Sequence, residues 1–182
     1  MSISKQNLLQ ILPNARTQAG VFVSALNTAM QRYQIVGTKC VAASIAQTGH
    51  ESDQLRWVRE IWVPTDAQRG YEDRKDLGNT VAGDGSKFCG RGLIQITGRA
   101  NYAACGEALD LSLIHQPELL ELPQNAAMSA ARWWGAHGLN TLADAGNNAN
   151  IGSIINIGRR GRTPNGADER QAFYDKALQV LA

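Results

Sequence analysis

From about Ala19 to Tyr33 the residues Phe22, Ala25, Leu26, Ala29, Met30 and Tyr33 recur three and four positions apart, the period of a helix that buries one face. The same period returns along the chain. Leu8, Leu9, Ile11 and Leu12 form a short stripe that must stop at Pro13, because proline disfavours helical geometry in the residue before it. Thr38 is placed to cap a helix whose small apolar residues Val41, Ala42, Ile45 and Ala46 let neighbours approach closely. Further helices are expected from Arg99 to Leu109, from Pro123 to His137, around Ile151, Ile154 and Ile155, and from Asp168 to Leu181. Gly90 to Thr97 alternates briefly like a strand. About seven helices and little sheet describe a mainly α, or α+β, fold.

With 182 residues, 43% of them apolar and 19% charged, the chain suits one domain over 1–182, with residues 1–16 supplying a helix that packs on the body. Between Val63 and Phe88 the apolar period fades and Pro64, Gly70, Gly78, Asn79 and Gly83-Asp84-Gly85 accumulate. A long excursion of this kind inside a compact domain is expected to form a cleft wall.

A formal charge of +2 lacks the clustered basic footprint of a nucleic-acid binder. The small-apolar run from Val41 to Ala46 is far too short to span a bilayer, and the N-terminal stretch lacks the apolar core of a secretory signal. Three widely spaced cysteines, Cys40, Cys89 and Cys105, show no CxxC pair and read as free thiols made inside a cell. The glycines from Gly83 to Gly92 match no phosphate-binding pattern, and His50, His115 and His137 show no metal-ligand spacing. No cofactor or metal is expected. Trp133 and Trp134 are assigned to packing, and Cys40 to an inert core position.

Two carboxylates stand out within Gln47–Glu60. Nine positions separate Glu51 from Glu60, so in one straight helix they would face opposite sides and lie about 13.5 Å apart along the axis. Ser52 and Asp53 are poor helix-interior residues, and Trp57, Val58, Ile61 and Trp62 favour extended chain, so a break between the two acids is expected. A break brings them within reach of the roughly 5–9.5 Å gaps that glycosidases use. Taken alone, Glu51 is better read as a solvated carboxylate or a helix-end residue, and Glu60 can simply pair with Arg56 or Arg59 on a surface turn; the surrounding motifs reverse this. If they act together, Glu51 needs apolar surroundings to hold its proton, and Glu60 needs a cation such as Arg59, Arg91 or Arg170 to stay ionised. Trp57, Trp62, Tyr71 and Tyr102 can offer flat surfaces to sugar rings.

Several collinear motifs carry a family resemblance. Gln47 to Ser52, the VRE ending at Glu60, Tyr71-Glu72-Asp73-Arg74 with Gly78-Asn79, the block GRGLIQITGRANY from Gly90 to Tyr102, Ala131 to Trp134, Ile154-Ile155-Asn156 and Asp168 to Arg170 together resemble glycoside hydrolase family 19, most of all its short bacterial and bacteriophage endolysins. The resemblance implies a lysozyme-like, two-lobed fold with a substrate cleft between the lobes. It implies Glu51 as general acid, Glu60 as the base that activates water, and Thr97 as a hydroxyl that helps to hold that water. Gln95, Asn101, Asn156 and Arg170 then line the cleft or support the carboxylates, and inversion at the anomeric carbon is implied. The chain departs from the family pattern at Asp53-Gln54, where most bacterial members have two glycines, and at Asn156-Ile157-Gly158, where Asn-Gly-Gly is common.

The expected function is hydrolysis of β-1,4 bonds in peptidoglycan by a monomer with neither nucleic-acid partner nor membrane span. The alternatives are a chitinase, a lytic transglycosylase and a non-catalytic wall-binding protein on the same scaffold. Without a signal segment, such a protein is expected to be made in the cytoplasm and to meet the wall after a separate membrane lesion or by an export route.

Overall fold

The computed structural model describes residues 2–182. Helix α1 (Lys5–Ile11) starts at a reciprocal cap in which the Ser4 hydroxyl accepts from the Asn7 N–H and the Asn7 side chain accepts from the Ser4 N–H. It ends before Pro13, as the stripe requires, and packs on α2 (Gln18–Arg32) and α10 (Ala167–Leu181). Helix α3 (Thr38–Glu51) is buried continuously from Cys40 to Gly49. Its cap is Gly37, one residue before the expected Thr38; at φ 81° this position suits glycine. A Cβ on Gly49 would sit 2.5 Å from Leu12 Cδ2, so glycine is what lets the end of the first helix seat against α3.

The excursion after Val63 holds two single-turn helices, α4 (Asp66–Arg69) and α5 (Asp84–Lys87), with a 3-10 turn at Lys75–Leu77 between them. Polar anchors order it in place of an apolar face. Asp84 is 1% exposed and takes a bidentate bond from Arg99, at 2.7 Å from Nε and 2.5 Å from Nη2. Buried Asn79 joins the Tyr71 carbonyl to the Arg99 N–H. Helix α6 (Arg99–Leu109) has the predicted bounds, and α7 (Pro123–Ala136) begins on its proline as expected. The short α8 (Leu139–Asp144) and α9 (Asn148–Ile157) follow, so there are ten α-helices among the described residues where about seven were expected.

Gly90–Thr97 is not a strand. Gly92 at φ 78° and Gln95 at φ 54° turn the chain back on itself, leaving isolated bridges between Arg91 and Ile96 and between Arg91 and Arg59. The apolar side chains form two clusters. The larger gathers α1, α2, α3, α7 and α10; the smaller gathers Phe88, Ile96, Tyr102, Cys105, Leu113 and Leu120. Ile94 and Trp133 pack against both, and both line a cavity of about 640 Å3 where the clusters meet.

Candidate active site

Helix α3 ends on Glu51, and the chain then breaks as expected. Buried Ser52 donates to the Thr48 carbonyl at 2.6 Å and accepts from the Leu55 N–H at 2.8 Å, tying a turn to the helix end. Asp53, Gln54 and Leu55 take φ of 48°, 58° and 69° there. At Asp53 and Gln54, where the resembled family usually has glycines, the left-handed backbone explains that preference. Each side chain adds a local bond: Asp53 pairs with Arg56 at 2.9 Å, and Gln54 Oε1 accepts from the Asn14 N–H at 2.9 Å.

Beyond the turn, Glu60 is held by neutral donors. Its Oε1 accepts from Gln68 Nε2 at 2.9 Å and its Oε2 from the Gly90 N–H at 3.0 Å, while its own N–H donates to the Gly90 carbonyl at 2.8 Å. No arginine pairs with it among the described residues, contrary to expectation. Arg91 bonds Glu121 at 2.7 Å, Arg59 stands 3.8 Å from the same carboxylate, and Arg170 lies on α10 beside Glu51. Tyr71 sits next to Glu60; burial and then the Glu60 carboxylate push its phenol above the ordinary value. The Trp62 ring lies 6.2 Å from the Tyr71 ring.

At Glu51 the expected apolar wall is replaced by a guanidinium. Arg170, 2% exposed, donates Nη2 to Glu51, Nη1 to Gln47 at 2.6 Å and Nε to the Asn165 carbonyl at 2.9 Å. Gln47 in turn donates to Asn148 at 2.9 Å, closing a fully bonded polar core between α3, α9 and α10.

Neither acid is among the residues that line the cavity; Glu60 lines a separate, shallow depression with Trp57 and Trp62, and each acid is linked to the cavity wall only through its neighbours. From Glu51 the path runs through Arg170 and Asn165, whose N–H donates to Asn156 Oδ1 at 2.9 Å, and Asn156 lines the cavity. On the Glu60 side, Gly90 packs so closely on Gln95 of the cavity wall that a Cβ would sit 2.7 Å from Gln95 Oε1, and Gln95 itself donates to the Gly92 carbonyl at 3.0 Å. Thr97 and Asn101 complete this wall. The Thr97 hydroxyl donates to the Gln95 carbonyl at 2.9 Å, and Asn101 Nδ2 to the Thr97 carbonyl at 2.8 Å.

Tyr102 does not reach the cavity. It is fully buried, donating to the Cys89 carbonyl at 2.6 Å and accepting from Arg91 at 3.0 Å, so it offers no surface to a sugar, contrary to expectation. Its position with Cys105 and Gly106 on the inner face of α6 follows from helical period. Trp133, expected to be packing alone, is half-buried in the cavity wall and stacks on His137 with centroids 3.7 Å apart. Trp134 is core, and Cys40 stays a buried thiol, pushed up to about 12 by burial and by Asp144. Gln68, Asn148 and Asn165 escaped the sequence reading. Only Gln68 carried a signal, the Thr65-x-x-Gln68 capping pattern that opens α4.

The family model described as chitinase class I matches residues 15–143 of this chain. The chain belongs to glycoside hydrolase family 19. A glycosyl hydrolase family 19 domain-containing protein of Haemophilus influenzae is 29% identical, with 99% of this chain and 97% of that protein covered. The basic endochitinase CHB4 of Brassica napus is 28% identical over 84% of this chain. Only 56% of that relative is covered, so the chain spans about half the length of the plant endochitinases it matches. Chitinase C from Streptomyces griseus superposes with a TM-score of 0.73 at 22% identity, covering 98% of this chain and 76% of that one. The family 19 chitinases thus share this lysozyme-like, mainly helical fold.

Proposed function

We propose that this family 19 protein hydrolyses β-1,4 bonds between N-acetylated amino sugars, with the glycan strands of peptidoglycan as its substrate. The observation that carries the reading is the presence of two acids in unlike settings beside one cavity, Glu51 on a guanidinium and Glu60 on neutral donors, with Asn156 and Gln95 of the cavity wall adjoining their supports. Arg170 occupies Glu51 Oε1 and leaves Oε2 free to face the leaving oxygen, the position of the general acid. Glu60, held by Gln68 and Gly90, takes a proton from the attacking water. Gln95, Thr97, Asn101 and Asn156 offer hydrogen bonds to sugar hydroxyls and acetamido groups along the cavity. Water then attacks directly, and the product carries the inverted anomeric configuration.

Chitin is the second reading, because the plant relatives are named endochitinases. Mass spectrometry of fragments released from purified peptidoglycan and from chitin oligomers separates the two. A 1,6-anhydro sugar among the fragments would instead identify a transglycosylase, and binding to sacculi without fragments a wall-binding protein. Replacing Glu51 by Gln is expected to lower kcat by about 10²–10⁴-fold. Circular dichroism on the same sample checks that the fold survives the loss of Arg170's partner charge. Full activity in a folded Glu51→Gln variant would remove Glu51 from the mechanism.

A further inference from the structure

The arginines near the two acids are already paired. Arg170 is bonded to Glu51, Arg91 and Arg59 face Glu121, and Arg56 pairs with Asp53. Arg74, on the cavity wall, holds Asp76 through bonds of 2.6 and 2.5 Å. Arg132 is different. It is half-buried on α7 and lines the cavity, yet it makes neither an ion pair nor a side-chain hydrogen bond among the described residues. Since Asp76 is the sole carboxylate among the lining residues and is matched by Arg74, the cavity keeps one uncompensated positive charge. A guanidinium that faces a cavity without a counter-charge is free to pair with an anionic group of a ligand.

The segment that follows the cavity-lining Gly158 adds charge of the same sign. Gly158 lines the cavity, and the next turn carries Arg159, Arg160 and Arg162, all exposed and without carboxylate partners among the described residues. Its backbone is pinned. Ser153 donates to the Arg159 carbonyl at 2.6 Å and accepts from the Arg162 N–H at 3.0 Å, and Asn150 accepts from the Gly161 N–H at 2.8 Å.

We infer that Arg132, backed by the arginines of 159–162, makes this end of the cavity a carboxylate-binding subsite that selects an anionic amino-sugar polymer over a neutral one. The inference rests on the glycosidase reading and deepens it. Chitin carries no ionisable substituent, whereas a muramyl-containing strand carries a carboxylate on each lactyl ether or on the peptide attached to it. A planar guanidinium facing such a group makes charge-assisted, directional bonds, and a local excess of positive charge draws the polymer in.

The test is binding, measured in the full chain carrying Glu60→Gln to stop turnover. Three tetrasaccharides are titrated calorimetrically: chitotetraose, an alternating muramyl strand with free lactyl carboxylates, and the same strand bearing stem peptides. Arg132→Gln is expected to reduce the ratio of anionic to neutral affinity about tenfold. The anionic strand that loses affinity identifies the carboxylate as lactyl or peptide. A triple change of Arg159, Arg160 and Arg162 to Gln, all on an exposed turn, should lower the same ratio about threefold, and raised salt should lower it in the parent. An unmoved ratio in both folded variants, or equal losses on neutral and anionic strands, overturns the inference. Because no step of chemistry is read, a preference for anionic strands in a protein that releases no reducing ends would leave the subsite standing and remove the glycosidase reading instead.

Discussion

Glu60 shows how much a single carboxylate depends on partners that its own neighbourhood does not reveal. Its two oxygens are held by an amide from the next helix and by a backbone N–H thirty positions away. Gln68 is 7% exposed, and its amide is fully used, with Oε1 accepting from the Thr65 N–H at 3.1 Å and Nε2 shared between Glu60 and the Ile61 carbonyl. Replacing Gln68 by Ala is expected to lower kcat about tenfold with little change in KM, since it loosens a group that acts in the transition state and leaves the cavity walls intact. Steady-state assays of released reducing ends check this, beside a melting curve. The Thr65-x-x-Gln68 pattern was readable in the sequence as a helix start, but what else the amide would reach was not.

Among the elements, the 63–88 excursion differs most from its sequence reading, because polar anchors rather than an apolar stripe order it. Asp84 is one such anchor, bonded to Arg99 and to two backbone N–H groups. The Arg99 guanidinium, with the N–H groups of Thr80 and Val81, holds its carboxyl below the usual carboxylate range. A lowered folded-state pKa means stability that is present above about pH 4, where the unfolded chain is ionised, and lost as pH falls through the lower folded value. Asp84→Asn is expected to cost about 2–3 kcal/mol at pH 7, with the difference from the parent shrinking below pH 4. Urea unfolding across pH measures it, and limited proteolysis should cut first within the excursion. The regular helices were legible, since α2, α6 and α7 each bury residues at three- and four-residue spacing. Tyr102 follows the same rule, and its period on α6 outweighs the aromatic character that made it look like a sugar platform.

At the scale of the whole molecule, the cavity exists because two apolar clusters meet without merging, and Ile94 and Trp133 touch both. Removing the shared indole should loosen the joint as well as one wall. Trp133→Ala is expected to cost about 2–3 kcal/mol and to raise KM, with a denaturation midpoint and a saturation curve as the two measurements. The sequence alone determined the helical class, the break after Glu51 and the family, because periodicity, weak helix formers and contiguous motifs are local properties of a chain. Tertiary structure decided the rest. Arg170 lies 119 positions from Glu51 in sequence, and it became that residue's partner, not Glu60's, only when α3 packed on α10. Which charges are matched, and which one is left facing the cavity, depends on contacts between distant segments, and those are set by packing rather than by spacing along the chain.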